Sequence, residues 1–181
     1  IQPVLTNGDY WKKGDVFISL RNQSMLLLYR PSENKIIWKG TGFTYYQHDV
    51  NILNKSQISI FNNNYKKFNS NPSVDQSNQV LIYDFSNNNY SEYHSDQLQR
   101  YSVKTEHEGL SVILNNGDMF IEETIYGRAL YFNFDGTLRW QYINKGKMGY
   151  TGYLNWSRIL YKSDDIEIVR NVLKIKESTK K

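Results

Sequence analysis

The chain has no cysteine, which removes a disulfide framework, a thiolate metal site and a cysteine nucleophile together. Proline is scarce, at three residues, and so is histidine, also at three. No apolar stretch approaches the roughly 20 residues that a membrane-crossing helix needs. The longest, Met25 to Tyr29, is the length of a strand. A strong charge bias is missing as well. The net charge is +4, and the excess gathers in Lys174, Lys176, Lys180 and Lys181, while the rest of the chain mixes both signs without a basic stripe. Nucleic acid is therefore not an expected partner. What the chain does have is 15 tyrosines, many asparagines and serines, and 39% hydrophobic residues over 181 positions, the composition of one folded domain.

The dominant hydrophobic period is two. Asp15–Leu20, Gln57–Phe61, Gln79–Tyr83 and Asp118–Ile121 are short β-branched and aromatic runs bounded by Asn, Gly, Asp and Ser, and they read as strands. Turn residues punctuate them at Asn7-Gly8-Asp9, Pro31-Ser32-Glu33-Asn34, Asn115-Asn116-Gly117-Asp118 and Asp135-Gly136, each reading as a hairpin. Asn62 to Asn78, rich in Asn, Ser and Lys, reads as a long loop or insertion. Near the end, Ser163-Asp164-Asp165 is placed to cap a short helix with Ile166, Val169 and Val172 or Leu173 on one face, followed by a solvated lysine-rich tail.

An internal repeat organises these strands. Leu27 to Trp38 matches Leu130 to Trp140, and a degenerate copy, Leu81 to Tyr93, lies between them. The copies end at Trp38, Tyr93 and Trp140, spaced 55 and 47 residues apart. That spacing exceeds the roughly 40–45 residues of a WD40 blade and lies near the roughly 50 of kelch. The expected fold is all-β: a partial β-propeller of about three four-stranded blades over residues 1–163, with a C-terminal helix and basic tail over 164–181. Closed propellers typically carry four to eight blades, so the chain is expected to belong to a longer protein with further N-terminal blades.

The reactive inventory is short. His48, His94 and His107 lie far apart and form no metal-ligand pair, so no metal site is expected. His94 in an Asn-rich hairpin region and His107 between Glu106 and Glu108 read as solvated. His48, in Thr44-Tyr45-Tyr46-Gln47-His48-Asp49-Val50, sits between an aromatic loop and an apolar strand at the expected inner mouth of a blade, where a packed or rim histidine is the competing reading. If the run is extended, Asp49 points to the opposite face and does not orient the imidazole. Arg21 ends a strand on the face shared by Phe17 and Ser19, and a guanidinium there calls for an anion, either a structural carboxylate or a bound sulfate or phosphate group. Arg128 and Arg158 raise the same question.

Taken in order, these motifs resemble the arylsulfotransferase family, the bacterial enzymes that work without PAPS on a six-bladed propeller. The strand Asp15–Arg21, with its Ser-x-Arg ending, and the hairpin closing on Ile36-Ile37-Trp38 are similar to the family's, as are Gln47-His48 and the Ser59-Ile60-Phe61-Asn62-Asn63 strand end. Leu114 to Asp118, Gly127 to Trp140 and Ser157 to Leu160 continue the likeness along essentially the whole chain. The resemblance implies that Arg21 holds a sulfuryl group and that His48 is transiently sulfurylated, with Tyr45 and Tyr46 lining an aryl pocket. It implies an aryl sulfate donor, a phenolic acceptor, no cofactor, a periplasmic or secreted location and a possible homo-oligomer. A neutral imidazole, with an unperturbed pKa near 6.5, is a competent nucleophile at neutral pH without a separate base. The family's second histidine, in a His-x-Asn motif, would lie just before Ile1, so these residues alone are expected to lack the acid for the departing phenolate and to be inactive. Asp49 stands where family members tend to carry a small hydroxyl residue. A non-catalytic propeller scaffold is the alternative, and a quinone-dependent dehydrogenase of Trp-docked propeller type a more distant one.

Overall fold

The computed structural model describes residues 1–68 and 71–178. Three four-stranded antiparallel sheets follow one another along the chain, each a simple meander. The first holds β1 (Gln2–Pro3), β2 (Val16–Leu20), β3 (Met25–Arg30) and β4 (Lys35–Thr41). The second holds β5 (Val50–Ile52), β6 (Gln57–Asn62), β9 (Gln79–Asp84) and β10 (Asn89–Glu92). The third holds β11 (Leu110–Ile113), β12 (Met119–Glu123), β13 (Arg128–Phe132) and β14 (Leu138–Ile143). Among the described residues no sheet closes on itself, and the architecture is all-β with two helices, α1 (Ser95–Arg100) and α2 (Ser163–Ser178).

The three repeat copies are the last two strands of the three sheets. Trp38 faces Leu28 across β3–β4, and Trp140 faces Tyr131 across β13–β14; in both hairpins the register slips at the next pair, between Leu28 and Tyr29 and between Tyr131 and Phe132. The β9–β10 copy pairs without such a slip. Each of the three turns places one residue in the left-handed region: Asn34, Asn88 and Gly136, at φ 49°, 53° and 82°. Only asparagine and glycine take that conformation at low cost, which is why the turn punctuation was readable.

The period-two pattern resolves into two buried faces in the second and third sheets and one in the first. In the second sheet Ile58, Ile60, Leu81 and Tyr83 face Phe17, Leu26 and Leu28 of the first, together with Trp11 and Phe85. Phe61 and Val80, one residue out of phase, face Met119, Ile121, Leu130 and Phe132 of the third, with Leu98 of α1 and Val103 between. The other face of the third sheet, Phe120, Ala129 and Tyr131, is covered by Leu154 and Ile159 from the segment after β14. Burying each such side chain is worth about 1.5–3 kcal/mol, so alternation of this kind fixes register strongly.

Two expectations need correction and a third narrows. Asn7-Gly8-Asp9 is not a tight hairpin but part of the long connection from β1 to β2, where Gly8 lies against the Trp11 ring. Asn62 to Asn78 is the insertion rather than the loop: β7 (Tyr65–Phe68) and β8 (Asn71–Val74) pair within it as a hairpin of their own between β6 and β9. The C-terminal helix is longer than expected, running to Ser178 through part of the anticipated tail, whose last residues, 179–181, lie outside the described ones.

Candidate functional site

The connections that end at the first strands of the second and third sheets meet the β2–β3 turn, and Arg21, His48 and His107 come together there. Arg21 opens the short 3-10 turn after β2. Gln47, fully buried, fastens the loop carrying His48 to that turn: its amide donates to Ser19 Oγ at 3.2 Å and to the Met25 carbonyl at 2.9 Å, and its Oε1 accepts from Thr44 Oγ1 at 2.9 Å. Tyr46 N–H donates to Ser24 Oγ at 3.0 Å, and the left-handed backbone of Tyr46, φ 55°, places its ring under the Arg21 guanidinium, 4.9 Å from centroid to Cζ.

His48 is half-buried, and its tautomer is set by neighbours with fixed polarity. Asn63 sits just past β6 and is fully buried. Its Nδ2 donates to the carbonyls of Thr105 at 2.9 Å and Glu108 at 2.8 Å, so its Oδ1 turns to His48 and accepts from Nδ1–H at 2.7 Å. The Glu108 backbone N–H donates to His48 Nε2 at 3.1 Å. Donor on one side and acceptor on the other define a neutral imidazole with the proton on Nδ1 and the lone pair on Nε2. Burial pushes the His48 pKa below its ordinary value, and the positive charge of Arg21 acts in the same direction against the Asn63 hydrogen bond. The imidazole therefore stays neutral, and nucleophilic, somewhat further into acid than a free one.

Arg21 takes part in none of the ion pairs found among the described residues. Its Nη1 donates to Asn22 Oδ1 at 3.0 Å, its Nη2 to the Glu106 carbonyl at 3.2 Å and to His107 Nδ1 at 2.5 Å, and its buried Nε has no partner. The structural-carboxylate reading thus fails for Arg21, and the guanidinium retains uncompensated donors. It holds for Arg128, whose Nε bonds buried Glu123 while Nη2 reaches the Tyr101 and Ser102 carbonyls. Arg158 is exposed, beside Trp156, and its charge acts on Asp49.

The remaining candidates divide. Tyr46 belongs to the cluster, edge-on to Tyr65, which in turn lies 5.8 Å from the His107 ring. Tyr45, although adjacent, has its ring beneath Lys66 Nζ at 4.6 Å rather than beside Arg21. Asp49 does face away from His48, accepting from Asn51 Nδ2 and the Ser111 N–H. His94 is half-buried against Tyr93 and away from the cluster, not solvated. Sequence reasoning passed over His107, Gln47 and Asn63. The flanking glutamates concealed the first, whereas the other two belong to the very motifs, Gln-His and Phe-Asn-Asn, that carry the family likeness. Among the described residues no group of His, Asp and Glu side chains could hold a metal ion.

Stacked antiparallel sheets that gather an imidazole, a guanidinium and their amide supports on inter-strand connections describe an all-β protein with one polar cluster on those connections. Residues 3–145 match the model of the family described as Arylsulfotransferase (ASST), and the chain belongs to that family. A comparison with curated protein sequences returns no match.

Proposed function

We propose that the chain forms the arylsulfotransferase centre of a β-propeller, transferring a sulfuryl group from an aryl sulfate to a phenol through a sulfo-histidine on His48. The observation that carries this reading is a neutral His48, with its lone pair on Nε2, beside an Arg21 that has no carboxylate partner. Arg21 would take the sulfonate oxygens on its free donors, and the charge it supplies grows in value as the aryl oxygen departs. Nε2 would exchange its hydrogen bond from the Glu108 amide for the sulfur. Asn63 would keep Nδ1–H in place as the ring becomes cationic. Tyr46 is placed to meet an aryl ring, and Tyr45 less directly.

In this reading the three sheets are blades, too few to close a ring, and further blades complete both the ring and the centre, so that these residues alone are inactive. Residues 1–163 are the propeller part and 164–181 an appended helix and tail. The donor and acceptor are small aryl compounds, nucleic acid is not a partner, a homo-oligomer remains compatible, and the family likeness favours a periplasmic or secreted site. No helix among the described residues is long and apolar enough to cross a membrane.

The test uses the whole protein containing these residues. Incubated with 4-nitrophenyl sulfate and quenched, it should carry one sulfuryl group on the His48 peptide by mass spectrometry, and His48→Ala should lose both the adduct and nitrophenol release. Unchanged release by His48→Ala refutes the proposal. One observation favours a second reading, a non-catalytic scaffold: the segment Glu106–Glu108 already engages both Arg21 and His48 Nε2. In that case sulfate should bind weakly or not at all, and no adduct should form.

A further inference from the structure

Resting on the proposed function only in taking Arg21 as the group that receives an anion, we propose that Tyr126 is a positioning residue of this centre: its hydroxyl draws the Glu106 carboxylate aside and so keeps the Arg21 guanidinium open. Arg21 lacks an acidic partner although one is at hand. The Glu106 carbonyl accepts from Arg21 Nη2 at 3.2 Å, which puts the carboxylate of the same residue within a side chain's length of the guanidinium. Glu106 nevertheless forms none of the ion pairs found among the described residues. Its two carboxylate oxygens accept instead from Tyr126 OH, at 3.0 and 3.2 Å.

The fold sets Tyr126 and Glu106 against each other. Tyr126 lies on the β12–β13 turn, where buried Thr124 donates through Oγ1 to Glu122 Oε1 at 2.7 Å and accepts there from the Gly109 N–H at 3.1 Å. Gly109 follows the segment Glu106–Glu108, and buried Thr105, which precedes it, is fixed by Asn63 and Asn78. Turn and segment are thus tied together at Thr124. The cation of the same turn, Arg128, does not compete for Glu106, because its Nε is committed to Glu123. Burial, and after it the Glu106 hydrogen bond, push the Tyr126 pKa above its ordinary value, so the phenol remains a donor throughout the neutral range.

A hydrogen bond to a charged acceptor is worth at least as much as an ion pair at an exposed site. One phenol therefore suffices to hold the carboxylate. Phenylalanine at position 126 fills nearly the same space and offers no donor, which frees the carboxylate to fold onto Arg21 as an internal competitor of an incoming sulfonate. Such competition lowers the receptive fraction of the protein and weakens apparent binding by that fraction. Steps after binding are untouched.

The experiment uses the whole protein, with 4-nitrophenyl sulfate as donor and inorganic sulfate as an unreactive ligand followed by the nitrogen-15 shift of the His48 imidazole. An ion pair at an exposed site changes an equilibrium by up to about 5-fold. Tyr126→Phe should therefore raise the KM for the donor and the Kd for sulfate together, by about 3–5-fold, with kcat unchanged. Adding Glu106→Gln, which keeps the length and removes the charge, should return both constants to the parent's values or below. A phenol that merely supports the fold would not give that return. Unchanged KM and Kd in Tyr126→Phe, a rise that Glu106→Gln does not reverse, or a loss confined to kcat overturns the proposal and leaves the His48 reading standing. A parent that shows the series of sulfate affinities but releases no nitrophenol overturns sulfuryl transfer and supports this role of Tyr126. A parent that binds no sulfate overturns both.

Discussion

Replacing Asn63 with alanine tests how the centre is held without any assumption about substrate. The side chain is fully buried and makes three hydrogen bonds, to His48 Nδ1, the Thr105 carbonyl and the Glu108 carbonyl. Thr105 keeps a second donor, Asn78 Nδ2 at 2.9 Å, so its loss is partial. His48 Nδ1–H and the Glu108 carbonyl are left without their protein partners. With about 1–3 kcal/mol for each polar group stranded in this way, Asn63→Ala should lose about 2–4 kcal/mol of stability in urea unfolding. For a chain of this size that is a fall in Tm of about 5–15 °C. Without Asn63 only the Glu108 N–H at Nε2 still favours the proton on Nδ1, so a share of the other tautomer should appear, which nitrogen-15 NMR of the imidazole reads directly. The aspartate variant sharpens the test. One of its oxygens must face two carbonyls, so at neutral pH it should be at least as destabilising as alanine, with the loss shrinking as acid protonates the buried carboxyl. A stability change below about 0.5 kcal/mol in Asn63→Ala, or an unaltered His48 tautomer, refutes the account of how the imidazole is set.

Other perturbations have equally definite outcomes. Arg30 grips buried Asp15 through Nε at 2.8 Å and Nη2 at 2.9 Å, and Arg30→Met should lower stability in urea unfolding by leaving the carboxylate with only the Lys12 N–H. That bond holds the Asp15 pKa below its ordinary value of 3.8, so the stability it lends is present above that value and is lost as the pH falls through the lowered one; the gap between parent and variant should narrow in acid. Burial instead raises the Asp49 pKa, so its charged form opposes folding at neutral pH and its protonated form does not. Asp49→Asn should match or exceed the parent in Tm at pH 7, the advantage vanishing below about pH 4 as the parent's carboxyl is protonated. Glu122 is fully buried and accepts from the backbone N–H groups of Trp156 at 3.2 Å and Ser157 at 2.5 Å; Glu122→Ala should free the segment after Tyr150 and speed its cleavage in limited proteolysis.

Much of the fold was legible because its signals are local. Consecutive apolar residues in Ile60-Phe61 and Met119-Phe120-Ile121 report sheets buried on both faces, and the Trp-ended repeat marks the outer hairpins. The β7–β8 hairpin escaped because Tyr65–Phe68 and Asn71–Val74 carry no apolar alternation, which leaves no periodicity to read. At the centre, Arg21, His48 and Tyr46 were recoverable from motif likeness, but what surrounds them was not. His107 reaches Arg21 from a residue 86 positions away, and no local pattern distinguishes it from a solvated histidine between two glutamates. Likewise Arg21 and Arg128 look alike in sequence. Only the three-dimensional pairing of Arg128 with Glu123 separates a strut from a free cation.

The side chains that aim this centre, Gln47, Asn63 and Asn78, are amides, buried and uncharged. Acid and salt therefore have little purchase on the framework itself and act mainly on the groups it presents. Ionic strength would then bear on the anion capture proposed for Arg21 while the mould around it keeps its shape.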